Sequence, residues 1–262
     1  MELIDTHCHL DFPVFDADRE ALLTRWRQLG VGEYIIPAVG EENWGRVMAL
    51  AGRHDDIRYG LGIHPWYVGK QPRDALTRLE TLLASRPRGL VAVGECGLDL
   101  RSHVPQEGQV EMFEAQVRLA MAHELPLIVH SVRANDTVAK ILRRFTPPQG
   151  GVIHAFSGSL RQAEVFWQLG FRLGIGGVIS YERANKTREA IRQMPLEALL
   201  LETDAPDMPL QGQQGEVNTP ASLPTIARLL AQLRQQPLED VISVLHDSTR
   251  RLFPPGNHEI NI

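Results

Sequence analysis

The feature that most constrains this chain is a rhythm. Short aliphatic and β-branched runs, without polar alternation, recur between amphipathic stretches of about ten to eighteen residues. Unalternated apolar runs predict strands buried on both faces, as in a parallel sheet covered by helices. Eight strands are expected, at Leu3–His7, Tyr34–Val39, Tyr59–His64, Leu90–Glu95, Leu127–Ser131, Val152–Phe156, Arg172–Ile179 and Leu199–Asp204. Helices are expected near 18–29, 42–54, 74–85, 107–124, 136–145, 160–169, 186–194 and 220–235. Gly30 and Gly170 follow helical patterns as terminating glycines. Asp136 and Asn185 are placed to cap helix N-termini.

Eight β/α units in 262 residues match the size and period of a (β/α)₈ TIM barrel, an α/β fold. A doubly wound open sheet is the rival. It usually has fewer strands, and the first βα turn here lacks a Gly-rich phosphate loop. The segment 238–253 is one helix more than the barrel requires, expected on its outside. No linker or low-complexity stretch interrupts the chain, which reads as one domain over 1–262.

Composition then removes several function classes. With 43% hydrophobic and 23% charged residues, intrinsic disorder is excluded. No apolar run approaches the ~20 residues of a membrane helix. The start, MELIDTHCHL, has acids and no basic n-region, so no secretory signal is expected. Two cysteines cannot build a disulfide framework, and a cytoplasmic location is the simplest reading. A net charge of −5 without a basic tail excludes a histone-like grip on nucleic acid. A phosphate-bearing substrate stays open if metal ions and local cations neutralise it. Nothing in the sequence calls for an obligate protein partner, and it leaves the oligomeric state open.

In such a barrel, chemistry gathers at the C-terminal ends of the strands. Strand 1 ends in His7-Cys8-His9, where a period of two puts both histidines on one side. Glu95 ends strand 4, His130 strand 5, His154 strand 6 and Asp204 strand 8. Each alone has an ordinary reading as a core or rim residue, and H-x-H by itself is a weak motif. Together, imidazoles and carboxylates converging on one mouth are ligands for Zn²⁺, Mn²⁺ or similar ions. Six are too many for one open tetrahedral site and suit two ions, with Glu95 as the bridge because a carboxylate has two oxygens. Two such ions can bind a hydrolytic water, lower its pKa and clamp the attacking and leaving oxygens of a phosphodiester.

The residues D-T-H-C-H-L at Asp5–Leu10, G-I-H-P at Gly62–Pro65, V-G-E-C-G-L-D at Val93–Asp99, I-V-H at Ile128–His130, H-A-F-S-G at His154–Gly158 and E-T-D-A-P at Glu202–Pro206 make the chain resemble the TatD family of metal-dependent hydrolases. The match runs in order over nearly the whole chain. The resemblance implies a TIM barrel of the amidohydrolase superfamily that binds two divalent ions (Zn, Mn or Mg) and hydrolyses phosphodiesters. Members often act as deoxyribonucleases, including 3'-5' exonucleases. It implies His7, His9, Glu95, His130, His154 and Asp204 as ligands, with Asp204 also orienting the attacking water and taking its proton. Glu95 stands where relatives such as dihydroorotase use a carboxylated lysine. Val132 stands where the family often has arginine, leaving Arg133 as the nearest substitute.

Other residues carry both functional and ordinary readings. His64 is expected to face the mouth as a substrate contact or a packed rim residue. Asp99 is expected either to orient a ligand histidine or to form a turn. Arg183 and Lys186, in the loop after strand 7, are expected to grip a substrate phosphate or to be solvated charges. Trp66 is the tryptophan placed to stack on a nucleobase. Cys8 and Cys96 are expected to point away from the mouth as small buried thiols. The function expected is a divalent-metal phosphodiester hydrolase taking a nucleic-acid strand end or oligonucleotide. The alternatives are a metal-dependent ester or amide hydrolase, such as a misacylated-tRNA deacylase, and a non-catalytic adaptor barrel.

Overall fold

The apolar rhythm closes into one sheet of eight parallel strands, in the order β1 to β8. They are β1 (Leu3–Asp5), β2 (Val31–Pro37), β3 (Ile57–Leu61), β4 (Leu90–Asp99), β5 (Leu127–Val132), β6 (Gly151–Ile153), β7 (Phe171–Ile175) and β8 (Leu199–Leu201). The structure, a computed structural model, describes residues 2–254. The helices are α1 (Arg19–Gln28), α2 (Glu41–Ala51), α3 (Ala75–Ser85), α4 (Gln106–Ala122), α5 (Asn135–Phe145), α6 (Leu160–Gln168), α7 (Asn185–Gln193), α8 (Leu223–Arg234) and α9 (Leu238–Leu252). The extra C-terminal helix, α9, packs outside the barrel against α8, β8 and β1. Among the described residues no helix is long and apolar enough to cross a membrane.

Seven parallel ladders join neighbouring strands from β1 to β8. Closure between β8 and β1 is made just beyond the strand ends. The Thr6 amide and hydroxyl both donate to Leu201 O, at 3.0 and 2.8 Å. The Asp204 amide donates to His7 O at 2.9 Å. The buried Asp5 carboxylate fastens the seam by accepting from the Thr203 amide (3.0 Å) and hydroxyl (2.6 Å).

Strand alternation divides the core into two layers. Tyr34, Ile36, Leu127, Val129, Ile153, Leu199 and Leu201 belong to the layer beneath the helices. Their neighbours Ile35, Ala92, Ile128, Val152 and Leu200 form a second cluster inside the barrel, with Leu252 and Phe253 from the end of α9. At that lower end the buried Arg58 guanidinium donates to Phe253 O and to Glu33. The apolar plug therefore fills the lower barrel, and on β5, β6 and β8 polar side chains on the same inward face begin two residues further along, at His130, His154 and Glu202.

Several boundaries differ from the sequence expectation, for local reasons. β1, β6 and β8 stop before their site residues, and past β6 and β8 the backbone turns: Ala155 and Asp204 adopt φ of +45° and +58°, a left-handed region that costs non-glycine residues energy. β7 stops at Ile175 and a 3₁₀ turn spans Gly177–Ser180. β4 instead continues past Glu95 to Asp99, because its far half pairs with β5. Asp136 and Asn185 do not cap helices. Ala134 and Ala184 occupy those positions, Asn135 is tied to Ser131 and Ser157 O, and Asp136 accepts from Gln162. Gly30 and Gly170 do terminate helices, with φ of +89° and +85°.

The β4–β5 contact is close beside the site. Gly97 has φ +135°, and a Cβ there would lie 2.1 Å from His130 O. Neither the conformation nor the space admits a side chain. Gly97→Ala should lower unfolding stability by about 2–4 kcal/mol, read as a drop in denaturant midpoint at unchanged slope.

Candidate metal centre

On several strands two more residues of inward-facing alternation lead from the plug to the site, while on β4 a register shift between Val93 and Cys96 brings Glu95 inward. Ile128 leads to His130, Val152 to His154, and Leu200 to Glu202 and then Asp204. On β3 the same step, through Gly60 and Gly62, ends at His64. Six side chains meet around Glu95, whose exposure is only 2%.

The two Glu95 oxygens face two different nests. Oε2 lies 3.3 Å from His7 Nε2 and 3.6 Å from His9 Nε2. Asp204 Oδ1 completes this nest, 3.6 and 3.7 Å from the same nitrogens. Oε1 lies 2.8 Å from His130 Nδ1, 3.2 Å from His154 Nε2 and 3.5 Å from His64 Nε2. The first nest has the spacing of donors around one ion, since bonds of ~2.1 Å at tetrahedral angles put ligand atoms ~3.4 Å apart. His7, His9 and Glu95 can hold one ion in this way, and so can His64, Glu95 and His130.

Hydrogen bonding within the protein leaves these donors unfinished. Both ring nitrogens of His7, which has no exposure, lack a hydrogen-bond partner among the described residues, as do His9 Nδ1, His154 Nδ1 and Glu202 Oε2. Buried polar atoms are rarely left so. A set of neutral imidazole nitrogens and carboxylate oxygens fits a divalent cation.

Charge is shared tightly across the cluster. Burial opposes ionisation of Glu95, but the imidazoles of His64, His154 and His7 and the His130 hydrogen bond hold its carboxyl well below the usual range. Burial, with His154 stacked 3.8 Å away, keeps His7 far below the usual imidazole value. Burial pushes His64 down to about 3 and lifts Asp204 to about 6. Around His130 and His154 the carboxylates outweigh burial and raise both.

Asp99 lies behind His130. Its Oδ2 faces His130 Nε2 at 3.2 Å and accepts from Trp66 Nε1 at 2.8 Å. Trp66 is 52% exposed and stands at the rim of a cavity of about 370 Å³ onto which His9, His64, Glu95, His130, His154 and Asp204 open. Phe12, Tyr67, Val132 and Met208 give the cavity apolar walls, and among the described residues Arg101 is the only lysine or arginine lining it. Arg183 and Lys186 lie elsewhere. Arg183 rests over the Tyr181 ring, and Lys186 lines a separate cavity between α5 and α6. Arg133 is exposed, with φ +55°. Cys8 and Cys96 are fully buried in the helix-facing core.

A family model described as "TatD related DNase" matches residues 4–254. The chain belongs to the TatD family. It is 47% identical over 251 residues to the Escherichia coli K12 "uncharacterized metal-dependent hydrolase YjjV", covering 95% of this chain and 97% of that one. The crystal structure of the E. coli TatD homologue YjjV superposes with a TM-score of 0.93, covering 96% and 97% of the two chains. A Pantoea ananatis protein named "3'-5' ssDNA/RNA exonuclease TatD" is 29% identical, covering 96% and 99%. A TatD-family hydrolase structure from Entamoeba histolytica, 17% identical, shares the fold with a TM-score of 0.87, covering 97% and 99%.

Two residues of this TatD-family site had no role assigned from the sequence. Arg101 sits on the loop after β4, where no periodicity applies. Glu202 was legible, because it stands two residues before Asp204 on the same inward face. Its Oε1 accepts from the Ala155 amide at 2.5 Å and lies 3.5 Å from His154 Nδ1. Glu202→Gln keeps the shape and removes the charge. It should weaken divalent-metal binding about 10–100-fold in calorimetric titration of metal-stripped protein, while unchanged affinity would detach Glu202 from the centre.

Proposed function

We propose that this protein is a divalent-metal-dependent phosphodiester hydrolase that takes the end of a single-stranded nucleic acid into the barrel mouth. The observation that carries this reading is the pair of nests around the two Glu95 oxygens, opening onto a cavity with aromatic walls and one arginine. The names of relatives support it, since two proteins at 29–30% identity are called 3'-5' ssDNA/RNA exonucleases.

One ion would be held by His7, His9, Glu95 Oε2 and Asp204 Oδ1. The other would be held by Glu95 Oε1, His130 Nδ1 and His154 Nε2, with His64 beside them. Such a pair lowers the pKa of water and stabilises charge on the attacking and leaving oxygens. The chain's own residues do the rest. Asp204 is the more open carboxylate, at 13% side-chain exposure against 2% for Glu95, so its carboxylate orients the attacking water and accepts its proton. Arg101 offers a guanidinium to a phosphate at the rim. Trp66 presents a ring face to a nucleobase, its indole N–H being held by Asp99. His64 and the apolar walls narrow the mouth around one nucleotide.

Metal-stripped protein reconstituted separately with Zn²⁺, Mn²⁺ and Mg²⁺ and assayed on end-labelled single-stranded DNA tests this. Activity should vanish on chelation and return with at least one ion. Asp204→Asn should cut kcat by about 10²–10⁴, and His130→Ala should abolish turnover. Activity surviving chelation or His130→Ala, or an Asp204→Asn variant with unchanged kcat, overturns the mechanism, and turnover of a carboxylic ester but of no phosphodiester reassigns the bond. Separately, Trp66→Ala should raise KM for an oligonucleotide about tenfold, as expected for loss of one stacked base, with little change in kcat.

A further inference from the structure

The second large cavity of the molecule, about 490 Å³, lies on the outer wall between α5 and α6. Its floor is Ala139, Val165 and Phe166, and its cations are Arg143, Arg161 and Lys186. Asn135, Ala139 and Arg143 stand four residues apart on α5, so the groove runs down the helix for roughly 12 Å. All three cations are exposed, and among the described residues none has a carboxylate partner. Elsewhere on the same helices some arginines are paired, Arg144 with Glu114 and Arg192 with Glu189 at 2.8 Å. The one acid lining the groove, Asp136, is engaged by Gln162 at 2.9 Å.

The groove adjoins the barrel mouth. Asn135 lines it and accepts from Ser131 Oγ at 2.7 Å, and Ser131 lines the mouth cavity. Asn135 also donates to Ser157 O at 2.9 Å, three residues past His154. One asparagine therefore separates the two cavities. On a chain of net charge −5, three unpaired cations lining one groove beside the metal centre form a local exception that suits a polyanion.

We propose that this α5–α6 groove binds the phosphodiester backbone of the nucleic-acid strand lying beyond the nucleotide held in the mouth. The inference rests on the functional reading above and adds an exosite that reads length and charge without reading bases. Phosphates lie against Arg143, Arg161 and Lys186, and sugars pass over the apolar floor. Sequence-independent affinity of this kind is electrostatic and salt-dependent.

The test uses the metal-loaded full chain with an end-labelled 20-nucleotide single strand and a dinucleotide. The triple variant Arg143→Gln, Arg161→Gln, Lys186→Gln should raise KM for the 20-mer about tenfold or more while kcat at saturation holds and dinucleotide kinetics hold. The slope of log KM against log salt should flatten by about 2, at roughly 0.7 per phosphate contact on a single strand. Arg228→Gln, on α8, should change neither substrate's kinetics. Equal losses on both substrates, or none on the 20-mer, overturn the groove. If the native protein hydrolyses neither substrate, the functional reading fails, and fluorescence anisotropy of the labelled 20-mer decides the groove alone: weaker binding by the triple variant upholds it, and equal binding removes it.

Discussion

An ionised carboxylate buried to 2% exposure in a β-barrel is the constraint on which the rest of this structure depends. Alone, such a charge would cost several kcal/mol. Around Glu95 the compensation comes from imidazoles brought by β1, β3, β5 and β6, each within 3.6 Å of one of its oxygens. Those contacts are directional, so they fix where each strand must end. The seam between β8 and β1 is fastened by Asp5 and Thr203 one to two residues from His7 and Asp204, for the same reason. Fold and centre are therefore one construction. The apolar plug holds the strands together below, and above it the same inward face turns polar.

That continuity explains why so much was legible in the sequence. The eight unalternated runs specify a parallel sheet, and the step of two from Ile128 to His130 or from Val152 to His154 carries apolar core into site. His7, His9, Glu95, His130, His154 and Asp204 are read from the sequence as strand-end residues, and the structure gathers the other five around the two oxygens of Glu95. Glu202 was within reach of the same step and was read only as part of a motif. Arg101, Arg183 and Lys186 were beyond it. They sit on loops or at a helix start, where neither period operates and position is set by contacts distant in sequence, such as Arg183 over the Tyr181 ring. Helix starts failed similarly at Asp136, because Asn135, bonded to two neighbouring loops, fixes the turn before α5.

Cations are rationed at the mouth. Arg101 alone lines the cavity among the described residues, while acids and imidazoles crowd its base. Further arginines at the base would compete with any bound cation for the same carboxylates. Exposed positive side chains gather instead one helix pair away, past Asn135, at Arg143, Arg161 and Lys186. The chain concentrates positive potential locally, and a uniform basic surface would hold long duplexes nonspecifically.

Asp99 Oδ2 links the rim to the centre more directly than any backbone contact. It accepts from the indole N–H of Trp66 at 2.8 Å and faces His130 Nε2 at 3.2 Å. Those hydrogen bonds, with the Arg101 amide on its other oxygen, hold Asp99 ionised against the burial that opposes it. One carboxylate therefore sets both the plane of an exposed ring and the tilt of a buried imidazole. Groups that share a partner do not behave additively. Without the indole Asp99 keeps its His130 contact and the Arg101 amide, so the ring's plane depends on Asp99 while the nest behind it keeps its support.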